Sequence, residues 1–268
     1  AAHALWLEEG KPLALARAEW LGSADLLDWF AEVGRRAYGR IVPSRLTGVQ
    51  LEVHRRPVGP VAAFAPWNFP AWTVMQKIAP ALAAGCAVVV KPAEETPATA
   101  WLIARALLDA GLPKRAISVI WGPPAPISST LIAAPQIRKV TLTGSTRVGR
   151  IVAAEAGQNL KKVTMELGGH APVIIARDAD IDRAARLSAE WKFRNAGQVC
   201  VAPTRFLVEA PVYDEFVTLL AGHADRIRVG RGIDAETQMG PLATRNQLDM
   251  VMSLIEDAVA KGARLAAG

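Results

Sequence analysis

The sequence has 268 residues, 51% of them hydrophobic, which is enough for one large or two smaller domains with buried cores. Its formal charge is +6, but 31 Lys and Arg are scattered among 25 Asp and Glu, without the basic tract of a nucleic-acid-binding surface. No run of about 18 uncharged apolar residues occurs, so we expect no membrane association. The two cysteines, Cys86 and Cys200, are too few for a disulfide framework and favour a reducing, cytoplasmic location. No histidine or cysteine spacing indicates a metal site.

The first part of the chain predicts helices followed by a ribbon. Apolar residues at helical spacing predict one long helix or two before Gly39. Residues 41–58 alternate with a period of two, which predicts β structure. We interpret residues 41–56 as a ribbon whose edge pairs with another subunit, so a homodimer or homotetramer is expected.

From residue 61 onward, short apolar strands alternate with helices. The predicted strands are residues 61–64, 87–90, 117–121, 139–142, 163–167, 173–175 and 205–208. The predicted helices are residues 73–84, 98–110, 128–133, 181–194, 212–227 and 243–261, with one more opening at residues 143–149. This alternation predicts an α/β fold with a doubly wound parallel sheet, Rossmann-like, and ligands outside the carboxyl ends of its strands.

Cys200 ends the segment RNAGQVC and follows a predicted helix, and it is the candidate nucleophile. A thiolate adds readily to a carbonyl carbon, and a nearby carboxylate can serve as base for the thiol or for a later water. Glu166 is the carboxylate that we pair with it. The alternative for Cys200 is a buried, inert side chain, which is the commoner state of an intracellular cysteine.

Five motifs occur in an order and spacing typical of one family. They are PWNFP at residues 66–70, KPAE at 91–94, TGS at 143–145 with Gly149, ELGG at 166–169 and GQVC at 197–200. Each is weak alone, but together they resemble the NAD(P)-dependent aldehyde dehydrogenases over nearly the whole chain. The resemblance implies that the chain is a fragment, lacking about the first hundred residues and the last third of such a protein.

The resemblance also implies catalytic roles. Cys200 would attack an aldehyde, and Asn68 with the Cys200 backbone N–H would form the oxyanion hole. Glu166 would activate the water that hydrolyses the resulting thioester, releasing a carboxylic acid. Without the resemblance, Asn68 would read equally well as a turn residue.

Cofactor contacts are expected in the loops after the strands. The residues implied are Pro66, Trp67, Lys91, Glu94, Gly144, Ser145, Gly149, Leu167 and Gly168. Lys91 and Glu94 would bind ribose hydroxyls, and the Glu94 carboxylate would repel the extra phosphate of NADP, so NAD is favoured and NADP is second. Ser145 would hydrogen-bond pyrophosphate at a helix start. The plain alternatives are solvated loop charges and a helix N-cap.

Arg194 is the predicted substrate residue. It lies six residues before Cys200, as in succinate-semialdehyde dehydrogenase-like members, and would grip a carboxylate at the far end of the pocket. Those members often carry a second arginine eight residues after the oxyanion Asn, whereas this chain has Gln76. Succinate semialdehyde is therefore one hypothesis, beside related ω-oxo acids and amino-aldehydes.

The predicted organisation has three parts. Residues 1–40 and 57–168 form the NAD-binding domain, residues 41–56 the oligomerisation ribbon, and residues 169–268 part of a second, catalytic α/β domain. Two rival functions stay open: a cysteine-dependent (thio)ester hydrolase without redox chemistry, and a non-catalytic or inactive fragment that keeps the fold.

Overall fold

Parallel strands form the centre of the first of two units in the computed structural model, which describes residues 1–268. The first unit comprises Ala1 and Arg17–Leu167, and the second comprises Ala2–Ala16 and Gly168–Gly268. The prediction placed residues 1–40 in the NAD-binding domain, whereas Ala2–Ala16 belong to the second unit. Gly232 and Gly240 of that unit lie close to the carbonyl groups of residues 10 and 11, and this backbone packing holds the segment there.

The elements follow the predicted alternation. In chain order they are α1 (Ala2–Glu9), α2 (Leu13–Arg35), β1 (Arg40–Pro43), β2 (Gln50–Val53), β3 (Val61–Phe64), α3 (Pro70–Ala83), β4 (Val88–Lys91), α4 (Pro97–Asp109), β5 (Ile117–Val119), α5 (Pro124–Ala133), β6 (Lys139–Gly144), α6 (Thr146–Gln158), β7 (Lys162–Leu167), β8 (Val173–Ile175), α7 (Ile181–Phe193), β9 (Phe206–Val208), α8 (Tyr213–Asp225) and α9 (Arg245–Ala260). The helical region predicted before Gly39 forms two helices. They are separated at Gly10, whose φ of 82° lies in the left-handed region.

The main sheet is parallel throughout, with strand order β5-β4-β3-β6-β7. Every residue of the central strand β3 is buried, so both faces of the sheet are covered there. One side packs a cluster that includes Phe64, Ile132, Val140 and Val152. The predicted α/β class with a parallel, doubly wound sheet is confirmed.

Two helices begin earlier than predicted. Helix α3 begins at Pro70 and α5 at Pro124, whereas the predicted starts were residues 73 and 128. Proline is tolerated in the first helical turn, because its missing N–H would have no partner within the helix.

Strands β1 and β2 form an antiparallel hairpin, in which Arg40 lies opposite Val53. Most of its residues are exposed, including Ile41 and Leu51. Apart from Arg40, the hairpin falls within the predicted ribbon, but its role in assembly stays a prediction. Light scattering that found a stable monomer would contradict it.

The second unit contains a small parallel sheet of β8 and β9, in which Val173 lies opposite Phe206. Its core includes Ile175 of β8, Ile181 of α7 and Phe216 of α8. Helix α7 begins after Asp180, whose carboxylate accepts a hydrogen bond from the Arg183 N–H at 3.0 Å. Across the chain, none of the helices combines the length and apolar character that crossing a bilayer requires.

Candidate active site

The carboxyl ends of β3, β4, β6 and β7 meet at one edge of the main sheet, because all four strands are parallel. The loops that carry Asn68, Glu94 and Ser145 leave the sheet at this edge, and Glu166 lies near the end of β7. The first unit thus brings together most of the residues predicted from its motifs. Cys200, Arg194 and Gly168 belong to the second unit, and their convergence with Asn68 and Glu166 stays a prediction.

The loop with Pro66, Trp67 and Asn68 joins β3 to α3, and its residues are half-buried. The start of α3 is fixed by a residue from another helix. The Glu19 side chain accepts hydrogen bonds from the N–H groups of Ala71 and Trp72, at 2.8 and 3.2 Å. A carboxylate is stabilising at a helix N-terminus, so Glu19 helps to hold the loop that presents Asn68.

Lys91 and Glu94 form an ion pair at the end of β4. The Lys91 ammonium also donates to the Pro92 carbonyl at 2.9 Å. Its side chain is 6% exposed, whereas that of Glu94 is 45% exposed. Lys91 is therefore not a solvated loop charge.

Ser145 caps helix α6, and its hydroxyl accepts a hydrogen bond from the Val148 N–H at 3.3 Å. The helix N-cap interpretation of Ser145 is thus observed. The N-terminal turn of α6 lies next to Gly144, at the edge of the sheet where ligands are expected. One turn into α6, a Cβ on Gly149 would lie 2.6 Å from the Leu167 side chain. Glycine therefore allows α6 to pack closely against the end of β7.

Lys77, in α3, is a candidate functional residue that the sequence analysis missed. Its ammonium donates to the Thr143 hydroxyl at 2.5 Å, and Thr143 lies opposite Glu166 in the sheet register. Burial lowers the pKa of Lys77 to about 8, while the negative charge of Glu166 acts in the opposite direction. Val74 and Ile78, on either side of Lys77 in α3, are buried. A lysine between apolar residues of a predicted helix was the sequence feature that could have identified it.

We expect the burial of Lys77 to make the free energy of unfolding depend on pH. Between about pH 8 and 10.5, the unfolded chain holds this proton and the folded chain releases it, so stability rises with pH. Lys77→Met lacks this titration. The stability of the variant relative to the parent should therefore fall by up to about 3 kcal/mol across that window, measured by urea unfolding at a series of pH values.

The matched control for this titration is Lys114→Met, because Lys114 is exposed. The difference in unfolding free energy between this variant and the parent should not change with pH in the same window. If the difference in unfolding free energy between Lys77→Met and the parent were equally independent of pH, burial would not lower the pKa of Lys77.

Cys200 is exposed, whereas Cys86 is buried with 4% exposure, and both are free thiols. The inert, buried alternative therefore describes Cys86 and not the candidate nucleophile. Helix α7 ends at Phe193, and a short 3₁₀ segment, Arg194–Gly197, follows it before Cys200. The thiol is thus carried by the irregular segment that follows a well-packed helix.

The segment before Cys200 has an unusual backbone. Asn195, Ala196 and Gly197 have φ values of 51°, 55° and 76°, which are three consecutive left-handed residues. Glycine adopts this region freely and Asn tolerates it, but a residue such as Ala is disfavoured by about 1 kcal/mol or more. Contacts from the surrounding structure must therefore hold the turn.

Arg194 stacks near an aromatic ring, with its guanidinium carbon 5.6 Å from the centre of the Trp191 ring. It also lines a cleft of about 550 Å³ in the second unit, together with Arg186, Arg226 and His223. The cleft contains Glu190 as well, which forms an ion pair with Arg186 at 2.9 Å. Arg186 and Arg226 thus line the same cleft as Arg194.

No group of three or more His, Cys, Asp or Glu side chains in residues 1–268 is arranged to hold a metal ion.

The parallel sheet, with its motif-bearing loops at one edge, places the first unit among the doubly wound α/β proteins. The family model described as "Aldehyde dehydrogenase family" matches residues 1–268. The chain belongs to the aldehyde dehydrogenase family, as its motifs predicted.

Named relatives agree with this assignment. The chain is 51% identical to 4-(hydroxymethyl)benzenesulfonate dehydrogenase of Comamonas testosteroni over 98% of its length. It is 43% identical to succinate semialdehyde dehydrogenase of Acinetobacter baylyi over 100% of its length. The crystal structure of an E. coli NADP dependent enzyme superposes with a TM-score of 0.97 at 41% identity, covering 100% of this chain and 56% of that one. The chain spans 55% of the length of both sequence relatives.

Proposed function

We propose that the protein carrying this chain oxidises an aldehyde to a carboxylic acid, with Cys200 as the nucleophile. The observation that carries the proposal is the exposed Cys200 thiol, three residues after a left-handed backbone turn, in a chain of the aldehyde dehydrogenase family. The other cysteine is buried and cannot compete for substrate. The division of labour follows the two units, with cofactor binding assigned to the first and part of the catalytic machinery to the second.

Each residue has a defined task in this proposal. The Cys200 thiolate attacks the aldehyde carbon, while the Asn68 amide and the Cys200 N–H stabilise the oxyanion that forms. A bound nicotinamide dinucleotide supplies the chemistry of accepting hydride. Glu166 then takes a proton from the water that hydrolyses the thioester, which frees the acid and regenerates the thiol.

The ligand edge of the first unit has a donor set that suits a dinucleotide. Lys91 and Glu94 offer a cation and a carboxylate for ribose hydroxyls, and the start of α6 beside Ser145 offers backbone N–H groups for phosphate. We propose NAD as cofactor, because Glu94 would repel a ribose phosphate. NADP is the second choice, and the E. coli neighbour is described as NADP dependent.

We further propose that the substrate is a small aldehyde with an anionic group at its far end. The names of both sequence relatives describe such anions, a sulfonate in one and the carboxylate of succinate semialdehyde in the other. Arg194 is the cation of this chain best placed in sequence to bind the anion, and the Trp191 ring restrains its guanidinium. Gln76 stands where succinate-semialdehyde dehydrogenase-like members often carry a second arginine, so the proposal names an anionic group without choosing between a sulfonate and a carboxylate.

Arg194→Ala tests this substrate class. A charge-assisted pair contributes about 1.5–3 kcal/mol, so kcat/KM for succinate semialdehyde should fall by about 10- to 100-fold. The value for an uncharged aldehyde of similar length should change by less than about threefold. The matched control is Arg183→Ala, at an exposed position of helix α7, which ends one residue before Arg194. Equal losses of kcat/KM for charged and uncharged aldehydes would contradict the proposed role of Arg194 in binding the anion.

Assembly and location remain proposals of the same kind. A homodimer or homotetramer joined through the β1–β2 hairpin suits the exposed apolar residues there. Two free thiols suit a reducing compartment such as the cytoplasm.

A further inference from the structure

A buried ion pair lies far from Cys200 in the sequence. The Lys11 ammonium is 2.8 Å from the Glu9 carboxylate, and the two side chains are 1% and 0% exposed. Removing two charges from water is costly, and replacing such a pair by apolar residues is often neutral or stabilising. A contribution to folding stability alone therefore does not explain why these two charges are buried together.

The segment that carries the pair is rigidly placed within the second unit. Gly10 between the two residues is left-handed, and a Cβ there would lie 2.6 Å from the Pro241 ring. Just beyond it, the Leu13 N–H donates to the Gly232 carbonyl at 2.8 Å. A side chain at Gly232 or Gly240 would collide with the backbone of residues 10 and 11. The Glu9 carboxylate is consequently held in one position.

This carboxylate contacts the turn before Cys200. The Asn195 side-chain amide donates to Glu9 Oε1 at 2.7 Å, across 186 positions of sequence, and Asn195 is buried. Asn195 is also the first of the three left-handed residues. The hydrogen bond thus fixes the first left-handed residue of the turn.

Gln198 provides a second tether for the same turn. Its amide nitrogen donates to the Asn195 carbonyl at 2.9 Å, and its oxygen accepts from the Ala243 N–H at 2.9 Å. The turn is therefore bound at both of its ends, with Cys200 two residues further on.

We propose that Glu9, Lys11 and Asn195 are positioning residues for Cys200. Lys11 orients the Glu9 carboxylate through their ion pair, and Glu9 holds the Asn195 amide. The anchored left-handed turn fixes where the thiol lies. The inference rests on the proposed function, in which this thiol attacks the aldehyde.

Three variants separate positioning from folding. Asn195→Gly keeps a residue that adopts positive φ freely but removes the tether. Glu9→Gln keeps an oxygen that can accept from Asn195 but removes the negative charge that pairs with the buried Lys11 ammonium. Combining Glu9→Gln with Lys11→Met removes both charges and retains the acceptor. Glu215→Gln, at an exposed site of the same unit, is the matched control.

Two measurements are made on each variant whose thermal unfolding shows a folded protein. The first is the rate of Cys200 alkylation by iodoacetamide as a function of pH, resolved from Cys86 by mass spectrometry. The second is kcat and KM for an aldehyde. For Asn195→Gly and Glu9→Gln, we expect alkylation rates that differ from the parent by at least about fivefold. We also expect kcat to be lower by at least about tenfold, with KM changed less than about twofold.

Glu215→Gln should remain within about twofold of the parent. The double variant should be impaired like Glu9→Gln, because no ion pair orients its side chain at position 9. The proposal is overturned if the folded Asn195→Gly variant or the folded double variant reacts and turns over like the parent. Failure of the proposed function looks different. In that case the parent oxidises no aldehyde, while the alkylation rates still report whether the turn depends on the tether.

Discussion

Replacing Cys200 with Ala is expected to lower kcat for aldehyde oxidation by at least about 10⁴-fold, the scale of loss when a nucleophile is removed. The reason is that no thiohemiacetal can form, and hydride departs readily only from that adduct. Formation of NADH with a panel of aldehydes, followed by its absorbance, measures the effect. The variant should still bind the dinucleotide, because the proposed cofactor residues of the first unit are unchanged.

Cys86→Ala is the matched control for this experiment. Cys86 is buried in the first unit, so the substitution should cost a modest amount of stability and leave kcat within about threefold of the parent. The same pair of variants separates the rival functions. A (thio)ester hydrolase would show hydrolysis that depends on Cys200 but no NADH from any aldehyde. A non-catalytic protein would show neither, and its Cys200 would resist alkylation.

The alternation of strands and helices was predictable because it depends on local patterns. Val-rich strands such as Val88–Lys91 and amphipathic helices such as α7 are encoded within about fifteen residues, and Asp180 marks a helix start. The parallel sheet then follows from the alternation itself. The starts of α3 and α5 were misplaced, because a proline at a helix start resembles a loop residue when the sequence is read alone.

Contacts between distant residues could not be predicted in the same way. Glu19 reaches the start of α3 across 52 positions, and Glu9 reaches Asn195 across 186. In the sequence both glutamates lie in predicted helices, where a charged residue is ordinarily interpreted as part of a solvent-exposed face. Lys77 was missed for a related reason, since its low pKa arises from burial in the folded protein. The motifs indicate candidate site residues, whereas the contacts that support those residues are visible only in three dimensions.

Glu166→Gln is expected to separate the two halves of the reaction. The amide keeps the size of the side chain but cannot take a proton from water, so steady-state kcat should fall by about 10²- to 10⁴-fold. Thiolate attack and hydride loss precede this step, and one equivalent of NADH per active site should therefore still form in a burst. A rapid-mixing measurement of the burst, with mass spectrometry of the Cys200 peptide, should reveal the accumulated thioester.

The burst rate carries a second piece of information. If Glu166 also deprotonates Cys200, the burst itself becomes slower, and its rate should recover as the pH is raised and the thiolate forms without help. Loss of the carboxylate also removes the charge that raises the pKa of Lys77, so that lysine should titrate below its value of about 8 in the parent.

The surface variant Glu32→Gln serves as control, because its side chain is 60% exposed and its contact with Arg35, at 3.7 Å, contributes little. Steady-state turnover of Glu166→Gln within about threefold of this control would exclude Glu166 as the base. A slow steady state without any burst would instead place the carboxylate before hydride loss, with deprotonation of the thiol as its main task. Only the combination of a retained burst and a slow steady state assigns Glu166 to the water that hydrolyses the thioester.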